Sequence, residues 1–177
     1  MKHSSIRLGV VVAAVAVVGL GAVAFADGGR SNLREQLTGY DEVPALSTPG
    51  GGSFRARIRD DRVEYELTFS ALESDVTQAH LHFENATNNG PIVVFLCTNL
   101  GNGLPTTQPC PAGGGTVSGT ITAADVSTSA AAAGAIANGI AAGEFAELVN
   151  AIRSGAIYVN VHSMARPGGE IRAQLHG

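Results

Sequence analysis

Gln78-Ala-His-Leu-His82 and, further along the chain, Val159-Asn-Val-His-Ser163 each read as an extended apolar segment carrying histidine. Side chains two apart in a strand share a face, so His80 and His82 point together and away from Leu81 and Phe83, while His162 lies opposite Val159 and Val161. Neutral imidazole binds copper or zinc well, and a pair at i, i+2 converges as two ligands of one ion must. His80, His82 and His162 are therefore the candidate metal ligands, the third on condition that its strand neighbours the first. The same residues would serve equally as a buried hydrogen-bond network or as a solvated face, and all three readings stay open. Gln78 and Glu84 share the His80 face and are the side chains expected to fix an imidazole tautomer. No fourth ligand is identifiable.

Two carboxylates deserve a chemical reading as well. Glu42 sits in Tyr40-Asp-Glu-Val-Pro44 and Glu170 in Gly168-Gly-Glu-Ile-Arg172. If Ile171, Ala173 and Leu175 take the core face, Glu170 and Arg172 take the other, placed for charge-assisted bonds. A catalytic reading would make Glu42 or Glu170 a general base beside a histidine. Neither is accompanied by a nucleophile or an oxyanion-hole motif, so Glu42, Glu170 and Arg172 are read as a structural polar clasp. Pro49-Gly-Gly-Gly52 and Gly113-Gly-Gly115 lack the Lys-Ser or Lys-Thr of a phosphate loop and read as turns. Asn85-Ala-Thr87 is a glycosylation sequon, meaningful only in a host with that machinery.

The elements that must position these groups are strands. Phe54, Ala56 and Ile58 alternate with Arg55, Arg57 and Arg59, and after Asp60-Asp61 the residues Val63, Tyr65, Leu67 and Phe69 alternate with Arg62, Glu64, Glu66 and Thr68. That is a hairpin with one buried and one wet face. A two-residue turn sets Arg57 opposite Glu64, Arg55 opposite Glu66, Phe54 opposite Leu67 and Ala56 opposite Tyr65. Further strands are expected near 33–38, 76–84, 91–96, 115–122, 156–163 and 169–175. This count implies an all-β fold, a two-sheet antiparallel sandwich. Phe145, Leu148, Val149 and Ile152 recur at helical spacing before Gly155, which predicts one short helix over 143–153 beside the C-terminal strands. The Ala-rich stretch 127–143 is interrupted by glycine, each costing about 1 kcal/mol in a helix interior, and reads as a loosely ordered insertion.

The N-terminus is basic at Lys2 and Arg7, then uncharged from Leu8 to Ala26, ending in Ala24-Phe-Ala26. This is the pattern of a secretory signal over 1–26 with a small-residue cleavage site, leaving a single domain over 27–177. Retained, the same segment would be a membrane anchor, the only route by which a membrane enters. The expected location is periplasmic, cell-surface or secreted. Of 11 basic residues two fall in the signal, leaving nine arginines against 15 acidic residues and a formal charge of −6. The arginines are scattered, which speaks against nucleic acid or anionic lipid as partner. Cys97 and Cys110 flank a segment of loop residues and, in an exported chain, read as a disulfide.

Five blocks in order, Leu37-Thr-Gly-Tyr-Asp-Glu-Val-Pro44, Ala79-His-Leu-His82, Asn89-Gly-Pro-Ile-Val-Val94, Tyr158-Val-Asn-Val-His-Ser163 and Arg166-Pro-Gly-Gly-Glu-Ile-Arg172, resemble the CHRD domain, the repeated module first described in chordin. The resemblance covers about residues 33–175 and implies an extracytoplasmic β-sandwich, immunoglobulin-like or Cu,Zn superoxide dismutase-like, acting as a non-enzymatic binding or structural module on an unknown extracytoplasmic ligand or protein. A weaker similarity, to Cu,Zn superoxide dismutase, lies in the His-x-His pair followed by a later histidine. It implies the alternative of a copper-binding protein with redox or dismutase-like chemistry, and it is an analogy between sites.

Overall fold

The computed structural model describes residues 32–177, and the signal-like segment 1–26 with its cleavage position lies outside the described residues. Eight strands, β1 (Asn32–Thr38), β2 (Gly51–Ile58), β3 (Val63–Ser70), β4 (Val76–Phe83), β5 (Ile92–Thr98), β6 (Gly115–Ile121), β7 (Ile157–Ser163) and β8 (Ile171–Gln174), join two short helices, α1 (Ala133–Ala137) and α2 (Phe145–Arg153). Every strand pair is antiparallel. The fold is all-β, as the alternation implies.

The strands form one sheet in the order β5-β4-β7-β8-β1-β2-β3-β6, where two sheets were expected. Its halves meet at a single bridge, Thr38 opposite Arg172. The sheet curls nearly into a barrel, and its outer edges, β5 and β6, are linked through side chains. Tyr65 Oη donates to Leu96 O at 3.0 Å, and Gln108 Nε2 donates to Ser118 O at 3.0 Å and Leu96 O at 3.3 Å. Period-two patterning identifies which residues face inward, but it carries no information on which strands share hydrogen bonds. First and last strands also meet through their flanks: His176 N donates to Glu35 Oε1 at 3.1 Å, and Gly177 lies beside Leu33.

The β2–β3 hairpin has the expected register, with Phe54 opposite Leu67, Ala56 opposite Tyr65, Arg55 opposite Glu66 and Arg57 opposite Glu64. Phe54 and Leu67 are fully buried, and Arg55 and Glu66 are exposed. The outward ion pairs are redistributed. Arg55 meets Glu66 at 4.0 Å, whereas Glu64 is engaged by Arg62 at 3.1 Å and Arg59 at 3.7 Å. Arg57 instead donates to Asn32 Oδ1 at 3.3 Å. Long arginine side chains reach diagonal partners as readily as opposite ones, at little cost on a wet face.

Helix α2 buries Leu148, Val149, Ala151 and Ile152, and the chain leaves it through Gly155 at φ +69°. The Ala-rich stretch is packed rather than loose: Ala132, Ala135 and Ile140 are buried, and Ser127 N donates to Val93 O at 2.8 Å, fastening its start to β5. Small residues permit this close approach, for a Cβ at Gly134 would stand 2.6 Å from Pro91 Cβ. Cys97 and Cys110 form the expected disulfide, with Cα atoms 5.1 Å apart. Among the described residues no helix is long and apolar enough to cross a membrane.

Candidate metal centre

Strand β4 lies between β5 and β7, so the condition on His162 is met. Gln78 stands opposite His162, His80 opposite Asn160 and His82 opposite Tyr158. On the next strand Asn160 stands opposite Arg172. One face of β4 and β7 carries Ala79, Leu81, Val159 and Val161 into the core; the other carries the histidines, Asn160 and Tyr158. That second face is not wet: His80 is 0% exposed, His162 6% and His82 7%, which removes the solvated-face reading. Two connecting segments cover it. Asn89 Nδ2 donates to Val43 O at 2.7 Å, tying the segment after β4 to the segment after β1. Arg172, almost wholly buried, donates to the carbonyls of Asn85 and Asn88 at 3.0 and 3.1 Å and to Asn89 Oδ1 at 3.2 Å.

The hydrogen bonds determine which ring nitrogens are free. His82 Nδ1 donates to Gly90 O at 2.8 Å and His162 Nδ1 to Pro167 O at 2.9 Å. With its proton on Nδ1, His162 presents Nε2 as an acceptor, so the 3.2 Å contact makes His80 Nδ1 its donor. These tautomers are assigned from the network. The consequence is that all three rings carry a lone pair on Nε2; His80 Nε2 is buried without a hydrogen bond, and His82 meets the Asn160 side chain. One ligand nitrogen from each ring lies within 4.8 Å of the others. Ligands at ~2.0–2.1 Å from one ion stand roughly 3–4 Å apart, so a ring movement under about 1 Å would close the set.

Burial pushes all three imidazoles toward the neutral form. His82 is lowered to about 4 by burial, against the opposing pull of the Gly90 carbonyl. His80 falls well below the ordinary range through burial and its two histidine neighbours, and burial also lowers His162. Aromatic rings wall the centre: Phe95 meets His80 edge-on at 4.5 Å, and Tyr158 stacks on His82 at 4.7 Å. The Arg172 guanidinium packs on Tyr158, 3.4 Å from the ring centroid.

The side chains expected to orient the rings do other work. Gln78 Oε1 accepts from Asn102 Nδ2 at 2.9 Å and Glu84 Oε1 accepts from Asn85 N at 2.9 Å; backbone carbonyls take the role, because covering segments bring them closer. Asn160 was the missed residue. Its amide acts on both Glu42 and His82, and its Oδ1 is buried and unpaired. The alternation of Val159-Asn-Val-His already puts it beside His162, whereas nothing in the sequence marks a carbonyl.

Glu42, Glu170 and Arg172 are all buried, and Glu170 and Arg172 bond to separate partners. Glu170 accepts from Ser163 Oγ, from Thr48 Oγ1 at 2.7 Å and from Glu73 N at 2.8 Å. Arg172 serves the covering loop instead, since same-face neighbours in a strand stand about 7 Å apart and here reach different segments. Glu42 is buried, and that burial raises its carboxyl to about 7 against the lowering effect of Arg172. Gly169 at φ +127° makes room for it, for a Cβ there would lie 2.6 Å from Glu42 Oε1.

No curated protein and no solved structure matches the chain at a significant level. The family model of the CHRD domain matches residues 33–175, nearly all of the described chain, and the chain belongs to the CHRD family.

Proposed function

We propose that this CHRD domain is an exported, non-enzymatic binding module whose three-histidine centre holds a transition-metal ion, copper or zinc. The observation that carries the reading is the convergence of three buried imidazoles, one nitrogen of each within 4.8 Å of the others, with His80 Nε2 left without a hydrogen bond. A buried acceptor left unpaired costs about 1–3 kcal/mol, which coordination to an ion would offset. Engagement of Nδ1 by a carbonyl is also how metal-bound histidines are oriented. Export is supported by family membership, by the Cys97–Cys110 disulfide and by the signal-like N-terminus. Binding is favoured over dismutase-like chemistry because the His80 ring is fully enclosed and turnover would need an open ligand position.

The test is elemental analysis of exported protein purified without a histidine tag. One copper or zinc per chain is expected, and a folded His80→Ala/His82→Ala variant should lose it, because Ala79 and Leu81 on the other face supply the packing. Metal-free wild-type protein that refuses copper and zinc on reconstitution would exclude the reading.

A further inference from the structure

The metal reading leaves open which ion the centre is built for, and the inference drawn here rests on that reading. Among the described residues, no Asp, Glu or Cys joins His80, His82 and His162 in the ligand group. Both cysteines are in the disulfide. The unpaired buried oxygens on this side belong to Asn160, an amide beside His82, and to Glu42, which meets Asn160 and is not in the ligand group. Every available donor is therefore neutral. The charged groups around the layer are Arg172, which acts unfavourably on a positive His82, and Glu42, Asp41 and Glu84, which act on Arg172 in the opposite sense. None of these carboxylates joins the ligand group.

We infer that the centre selects a monovalent d10 ion, Cu(I), over Zn2+ and Cu2+. A filled site carries the full charge of its ion, because the donors contribute none. The cost of burying an ion grows with the square of its charge, so a divalent ion pays about four times as much in this enclosed, ring-walled space. Coordination number points the same way. Zinc completes a tetrahedron and Cu2+ a tetragonal set, whereas three converging imidazoles suffice for a trigonal monovalent ion. The ring contacts of Phe95 on His80 and Tyr158 on His82 narrow the room for further ligands.

The experiment is an anaerobic competition on the exported protein, with Cu(I) delivered from its bicinchoninate complex and Zn2+ and Cu2+ titrated against chromophoric chelators. One Cu(I) per chain is expected, held at least about a hundredfold more tightly than either divalent ion. Equal or tighter binding of Zn2+ or Cu2+ would overturn the selectivity while leaving the metal reading intact. Failure to bind any of the three would overturn both. A second arm uses Asn160→Asp, which is nearly isosteric and places a carboxylate beside the ring of His82. It should move the preference toward Zn2+ by about tenfold or more, and a folded variant with unchanged preference would overturn the charge argument.

Discussion

At the scale of single residues, two opposed titrations share one buried layer. The three histidines have folded-state pKa values below the ordinary 6.5. The unfolded chain therefore binds protons that the folded chain refuses, and their contribution to stability, complete above about pH 6.5, is lost as pH falls, for His82 through about 4. Glu42 runs the other way: with its carboxyl raised from 4.5 to about 7, it contributes stability at acidic pH that is lost as pH rises through 7. Glu42→Gln, which fixes the neutral form, should gain on the wild type as pH rises from about 5 to 8 in metal-free denaturation curves. A stability difference independent of pH would place the Glu42 carboxyl at its ordinary value. The three histidines that the fold brings together were legible in the sequence through strand alternation. Their burial was not, because alternation separates two faces without saying that loops will cover the second.

Elements show the same division between what a pattern encodes and what packing adds. The β2–β3 hairpin is written fully in its alternation, down to register, since a two-residue turn leaves no freedom in the pairing. Leu67→Ala should cost roughly 2–5 kcal/mol and Glu66→Ala under about 1 kcal/mol, because Leu67 is fully enclosed and Glu66 is exposed. Equal shifts in denaturant midpoint at unchanged slope would contradict the assignment of faces. Helix α2 was equally plain from Phe145, Leu148, Val149 and Ile152. The packing of the Ala-rich stretch is not legible because propensity describes an isolated helix, and here burial of Ala132, Ala135 and Ile140 outweighs the glycine penalty. Polar links across the β5–β6 edge were invisible for a different reason: Tyr65 and Gln108 belong to segments distant in sequence and look like ordinary strand and loop residues.

For the whole molecule, all-β architecture and family were readable from strand count and motif order, while the joining of every strand into one sheet was not. The disulfide follows the same logic of long-range closure. Cys97 and Cys110 are 13 positions apart, and in the chain-entropy account a closed loop of that size stabilises the fold by about 3 kcal/mol. Replacing both cysteines with serine should lower the denaturation midpoint correspondingly. Intact mass of the exported wild type after alkylation without reductant should show no added label, and two alkylated thiols would contradict the pairing.

The single bridge between β1 and β8 bears on how the domain would respond to force. Asn32 and Gly177 lie at the same end of neighbouring antiparallel strands, so tension applied through the chain ends pulls those strands apart sideways and loads their contacts one after another. Peeling of this kind meets far less resistance than sliding two long ladders past each other. Along that seam the Leu33–Gly177 and Glu35–His176 contacts part first and the Thr38–Arg172 bridge follows, and the Arg172 guanidinium holds down the loop that roofs the histidines. A pull on this domain would therefore uncover its buried imidazoles before it unravelled the hairpin β2–β3, making the lid over the centre a mechanical weak point.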